Sequence, residues 1–164
     1  LSEKLRKFYE TVDTQSANLQ KIHAARLNCR KGCAACCVDE LTVFEIEAEN
    51  IRANHRELLE NKKPREAGKC AFLDETDACR IYENRPYICR TQGLPFRWLD
   101  EFENELVELR DICPLNEEGE PLENLPANQC WTIGEFEAIL AVLQKESGSG
   151  GMKRIALRDL FVGG

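Results

Sequence analysis

The chain has 164 residues, 43% hydrophobic and 31% charged, enough for one globular domain with a buried core and too few for a long multidomain enzyme. With 22 Lys and Arg against 29 Asp and Glu the formal charge is -7, the wrong sign for holding a phosphate backbone, so nucleic acid is not an expected partner. No run approaches the roughly 18 apolar residues that a membrane span needs, and residues 1–28 are too polar for a secretory signal, so the reading is a cytoplasmic protein with no membrane partner.

From Leu5 to Leu27, the residues Leu5, Phe8, Val12, Leu19 and Ile22 recur at helical spacing and mark one stripe of a long amphipathic helix. The stripe can pack on its own domain or against a second copy, so a homodimer or another protein partner through this helix is one expectation. In Leu41–Ile46, Thr42 reads as an N-cap with Glu45 reaching back and Leu41 stapled onto Ile46. The helix it opens carries Phe44, Ala48, Ile51, Leu58 and Leu59 until the stop at Asn61-Lys62-Lys63-Pro64. Cys70–Leu73 and Cys79–Tyr82 flank the polar residues Asp74–Ala78 and suggest a short hairpin. Phe96–Ile112 reads as a second hairpin or a helix, with strands favoured, and the acidic run Asp100–Glu108 reads as a solvated face. The cap grammar returns at Trp131–Phe136, with Thr132 as cap and Trp131 against Phe136, and opens a helix through about Lys145. The expected architecture is therefore a single α+β domain, mainly helical with small β-hairpins, over residues 1–146 and organised around cysteine metal sites. Residues 147–151 read as a flexible linker, and 152–164 as a tail that docks back.

Nine cysteines, at positions 29, 33, 36, 37, 70, 79, 89, 113 and 130, exceed what a reducing compartment holds as idle thiols. An odd count and the adjacent Cys36 and Cys37 suit a disulfide framework poorly, whereas metal binding suits dense clusters. Cys29, Cys33, Cys36 and Cys37 lie within nine residues, and thiolates that close repel unless protons or a cation neutralise them. A helix here would put Cys29, Cys33 and one of Cys36 or Cys37 on one face, while Gly32 can instead break the segment into a ligand loop. In either geometry Cys36 and Cys37 are expected to point apart, so that one ion uses one of them. Cys70, Cys79 and Cys89 are the natural further donors, and Cys113 and Cys130 also sit at element ends.

Arg30, Lys31, Arg80, Arg85 and Arg90 each lie within about four residues of a cysteine and can offset the negative charge of a thiolate site. Around Arg85 two readings stand: Arg85 donates to a sulfur or a loop carbonyl while Tyr82 walls the site, or Tyr82 is core and Glu83 pairs with Arg85 or Arg90. Zinc and iron accept the same ligands, and the spacing chooses neither. Hydrolytic, ATP and nicotinamide chemistry are not expected: the chain has neither H-E-x-x-H nor G-x-S-x-G nor a glycine-rich phosphate loop, and His23 and His55 read as boundary residues.

Cys33-Ala-Ala-Cys36-Cys37, then Cys70-Ala-Phe-Leu, then Cys79-Arg-Ile-Tyr-Glu-Asn-Arg-Pro-Tyr-Ile-Cys89-Arg90 resemble the YkgJ-type cysteine-cluster proteins, named for a CxxCxxCC motif and described as zinc- or iron-chelating. The resemblance runs from Cys29 to Arg90 and extends to Cys113, with one departure: three residues separate Cys29 from Cys33 where the name has two. It implies a metal site drawn from Cys29, Cys33, Cys36, Cys37, Cys70, Cys79, Cys89 and Cys113. Some relatives of this type are labelled iron–sulfur oxidoreductases, and flagellin lysine methylases carry a similar cluster. The expected function is a metal-binding protein holding zinc or iron, with an iron–sulfur cluster as one form. The alternatives are an iron–sulfur enzyme of oxidoreductase or methyl-transfer type and a thiol redox or adaptor protein reacting through Cys36 and Cys37.

Overall fold

The structure, a computed structural model, describes residues 3–30, 32–148 and 150–161. Lys31, Ser149 of the expected linker and residues 162–164 of the expected tail lie outside these described residues.

Helix α1 spans Glu3–Ile22. Its stripe Leu5, Phe8, Val12 and Leu19 is buried, whereas Ile22 at its end is 52% exposed. These side chains pack with Phe44, Tyr87, Trp131, Phe136 and Leu140 in one hydrophobic cluster. The stripe therefore faces the chain's own core, which leaves no continuous apolar seam among the described residues of α1 for a second copy.

Strand β1 (Thr42–Phe44) runs directly into helix α2 (Glu45–Asn54), and helix α3 (Arg56–Asn61) follows after a break at His55. Thr42 is thus not a helix cap. It pairs with Ala156 of strand β5 (Arg154–Ala156), and its hydroxyl accepts from Arg154 Nε at 3.0 Å. The cap lies two residues on, where the Phe44 N–H donates to the Glu47 carboxylate at 3.3 Å. Leu41 and Ile46 join different apolar clusters, so the expected staple does not form. Pairing with a strand more than a hundred residues away claims residues 42–44, and no local window contains that partner.

The second start is displaced in the same way. Strand β4 (Trp131–Thr132) precedes helix α5 (Glu135–Glu146), whose cap is Gly134 at φ +103°, its N–H donating to Glu137 Oε2 at 2.7 Å. Thr132 instead accepts from Arg97 Nε at 3.0 Å. The expected contact between Trp131 and Phe136 is present, as stacked rings 4.7 Å apart.

Strands β2 (Phe96–Phe102) and β3 (Glu105–Asp111) form the second hairpin, and β4 joins β2 in parallel to give the order β3-β2-β4. The first expected hairpin contracts to a single bridge between Leu73 and Cys79. The cause is Asp74, whose Oδ1 accepts from the Thr76 N–H, the Thr76 hydroxyl and the Ala78 N–H, winding residues 74–78 into a tight turn. Helix α4 (Tyr87–Arg90) is one turn long.

A second cluster unites Val43, Ala48, Ile51, Phe72 and Ile81 with Leu157, Leu160 and Phe161 from the returning C-terminal segment. Gln144, fully buried on α5, fastens that return: its amide donates to the carbonyls of Gly150, Gly151 and Lys153 and accepts from the Ile46 N–H. Helix outweighs strand, 43% against 15%, as the mixed helix-and-sheet expectation requires. No helix among the described residues is long and apolar enough to cross a membrane.

Candidate metal centre

The four clustered cysteines lie on a loop between α1 and β1, not on a helix. Two successive turns shape it, with Cys33 N–H donating to the Arg30 carbonyl and Cys37 N–H to the Ala34 carbonyl, both at 2.9 Å, and Gly32 at φ +84°. A third backbone bond, from Cys70 N–H to the Cys37 carbonyl at 3.0 Å, docks this loop on the next cysteine segment. The tight turn at Asp74 then returns the chain to Cys79, and α4 carries Cys89.

The turn also brings together what a helix or strand would separate. The Cys36 and Cys37 side chains hydrogen-bond to each other, which corrects the expectation that they point apart. That bond and the Arg85 guanidinium favour the Cys36 thiolate against the cost of burial, and its pKa is lowered to about 6. Cys37 is pushed up, first by the same bond, then by burial and by the nearby Cys36, Cys70 and Cys89. Cys89 is pushed up chiefly by burial, then by Cys70, Cys79, Glu47 and Cys36. Burial likewise raises Cys70 and Cys79, with Cys79 adding to the rise at Cys70. Five thiols from three chain segments, Cys36, Cys37, Cys70, Cys79 and Cys89, therefore share one electrostatic neighbourhood. Its wall is apolar, for Cys70 is buried in the second cluster and Cys37 and Cys79 pack against it.

Three cations bear on this neighbourhood: Arg85 favours the Cys36 thiolate and, with Arg80, opposes the upward shift at Cys79, while Arg158 opposes that at Cys70. The Arg85 guanidinium lies 4.2 Å from the Tyr82 ring centroid, and its Nε is buried with no hydrogen-bond partner. Tyr82 is 57% exposed and serves as a platform for Arg85, not as core. Glu83 meets Arg90 through its carbonyl at 3.4 Å. Arg90 is committed to α1, donating to Asp13 at 2.6 Å and lying 4.0 Å from the Tyr9 ring centroid. Arg80 holds the carbonyls of Lys63 and Ala71. Both histidines prove structural: His23 Nε2 meets the Gln129 carbonyl at 2.7 Å and His55 Nε2 meets Asn84 Oδ1 at 2.9 Å.

Cys29, Cys33 and Cys113 make other contacts. The Cys29 sulfur accepts from Asn116 Nδ2 at 3.5 Å, and Cys33 edges a cavity of about 480 Å3 shared with Asn28, Arg30 and Leu115. Cys113 is half-buried, and its carbonyl accepts from the Asn116 N–H at 2.7 Å. Cys130 is buried, with Arg110, Glu108, Arg97 and Arg26 as its charged neighbours. Among the described residues, no group of three or more His, Cys, Asp or Glu side chains is set to close around an ion as it stands. The thiols form a neighbourhood, not a finished coordination shell.

Three residues that shape this region carry no signal in the sequence. Arg158, from the C-terminal segment, donates to Asp39 and to the carbonyls of Arg65 and Lys69, so it holds the approach to Cys70. Glu47 lies behind Cys89, and Asn116 ties Cys29 to Cys113. Each acts across a large sequence separation, so spacing rules do not reach them.

The donor set suits a soft or borderline cation such as zinc or iron. Buried thiols that raise one another's pKa are costly as bare thiolates, and a cation among them reverses that cost. The buried Arg85 Nε lacks an acceptor. The CxxCxxCC family model, described as "Putative zinc- or iron-chelating domain", matches residues 28–114, more than half of the chain. The chain belongs to the CxxCxxCC family. All eight cysteines expected as ligands fall inside the matched span, and Cys130 falls outside it. The family description supports chelation of zinc or iron as the function class. No curated protein and no solved structure matches the chain significantly.

Proposed function

We propose that this chain is a metal-binding protein that holds zinc or iron through cysteine thiolates. The core ligands come from Cys36, Cys37, Cys70, Cys79 and Cys89, and Cys29, Cys33 and Cys113 complete the eligible set. The observation that carries this reading is the gathering of Cys36, Cys37, Cys70, Cys79 and Cys89 from three chain segments by the Cys37–Cys70 backbone bond and the Asp74 turn, within the span of the family match. Zinc bound there cross-links three chain segments and contributes directly to folding, while an iron–sulfur cluster adds electron transfer or substrate activation. Arg85 offsets the charge of the thiolates, and Tyr82 orients Arg85. Residues 1–146 act as the metal-organised domain, with the described part of the tail, residues 152–161, docked on it, in a reducing compartment such as the cytoplasm.

A thiol-redox reading has one observation in its favour, the acidic Cys36 hydrogen-bonded to Cys37. Elemental analysis of anaerobically purified protein, paired with its absorption spectrum, separates the readings. Zinc in a colourless protein, or iron with a broad visible band, supports chelation and assigns the metal. Protein that carries neither metal and keeps its fold in chelator supports the redox reading and overturns ours.

A further inference from the structure

Asn116 is completely buried, and every polar atom it owns is engaged. Its Nδ2 donates to the Gly93 carbonyl at 2.8 Å and to the Cys29 sulfur at 3.5 Å, and its Oδ1 accepts from the Asn28 N–H at 2.8 Å. Its backbone N–H donates to the Cys113 carbonyl at 2.7 Å, and its own carbonyl accepts from Arg26 Nε at 3.1 Å. An amide nitrogen has two hydrogens. With one directed at Gly93, the other is fixed on the line to sulfur.

Gly93 leaves the room that the same sulfur occupies. It sits at φ +89°, and a Cβ there would lie 2.5 Å from Cys29 Sγ and 3.3 Å from Asn116 Nδ2. Cys29 is exposed, yet its sulfur meets a buried donor and lies where any residue but glycine at position 93 would clash with it. Such a seat is what an outer hydrogen bond gives a ligating sulfur: a set direction. Asn116 lies beyond the family match, which ends at residue 114.

We infer that Asn116 is the positioning residue for Cys29, delivering its sulfur to the metal centre as a thiolate ligand; the inference rests on the metal-binding reading above. Zinc affinity, measured by chelator competition, tests it in the wild type, in Cys29→Ser, in Asn116→Ala and Asn116→Asp, and in the double variant Asn116→Ala/Cys29→Ser. Asn116→Asp keeps the acceptor for Asn28 and nearly the same shape, so it reports on the lost donor if the alanine variant does not fold.

Asn116→Ala and Asn116→Asp each lower zinc affinity about 10–100-fold, and Asn116→Ala costs nothing further once Cys29 is Ser. With Co(II) as probe, the sulfur-to-metal absorption falls in Cys29→Ser and in both Asn116 variants. An equal cost of Asn116→Ala in both backgrounds makes its role merely structural and overturns the inference. So does wild-type affinity in Cys29→Ser, which leaves the metal reading intact. A wild type that takes up no zinc overturns the metal reading itself, and this inference with it.

Discussion

Glu47 is a buried carboxylate that joins three helices. It is 2% exposed and accepts from the Tyr9 hydroxyl at 3.0 Å, the Tyr87 N–H at 2.7 Å and the Phe44 N–H at 3.3 Å, thereby joining α1, α4 and the start of α2. Burial raises its pKa, and the three donors only partly oppose that. Glu47→Ala strands three buried donors, so a loss of about 3 kcal/mol is expected in urea unfolding, where an unchanged midpoint would refute the assignment. Asp39 behaves in the opposite sense. Donation from Gly68 N–H, then from Arg158, holds it below its usual 3.8. A carboxylate depressed in the folded chain supports the fold above its unfolded pKa and loses that support as pH falls through the folded one. The thermal midpoint should therefore drop below about pH 4, and less steeply in Asp39→Asn than in the wild type. At Arg85, replacement by Ala should weaken metal retention less than loss of Cys89, with unchanged stoichiometry, and Lys should restore only part because it lacks the planar fork that lies over Tyr82. Equal retention in the wild type, Arg85→Ala and Arg85→Lys would remove Arg85 from the site.

Among the elements, Gln144 shows how α5 governs a segment that has little secondary structure of its own. Gln144→Ala leaves the carbonyls of Gly150, Gly151 and Lys153 without their donor, so limited proteolysis should cut between residues 147 and 153 faster than in the wild type. Unchanged cleavage would mean that β5 alone secures the return. Thr132→Ala, by contrast, removes one hydrogen bond to Arg97 and no helix cap, so helix content by circular dichroism should not change. That contrast shows what the sequence exposes. Apolar periodicity made α1 legible because that pattern is local, whereas the apolar residues from Phe96 to Ile112, mixed with carboxylates, fitted a hairpin or a helix until the pairing of β2 with β3 decided it. The helix starts at Thr42 and Thr132 were misplaced because β1 and β4 claim these residues through partners at Ala156 and Arg97. The cap grammar itself was sound, with Glu47 and Glu137 closing it two to five residues further on.

For the whole molecule, the cysteine loop leans on the second apolar cluster, the one that also receives Leu157, Leu160 and Phe161. Metal removal should therefore raise hydrogen exchange in residues 32–41 and 70–90 more than in α1 and α5, which belong mainly to the other cluster. The ligand residue types were legible because clustered thiols have few uses. Their grouping was not, because it depends on the Cys37–Cys70 backbone bond, the Asp74 turn and the single turn of α4. The adjacent Cys36 and Cys37 were misread for the same reason, since a turn aims neighbouring side chains together where regular structure separates them. That the gathered sulfurs bind the ion is tested most directly by X-ray absorption fine structure at the metal edge of the anaerobically purified protein. A first shell dominated by sulfur at about 2.3 Å is the predicted result; a shell of nitrogen and oxygen at about 2.0–2.2 Å without sulfur would contradict it.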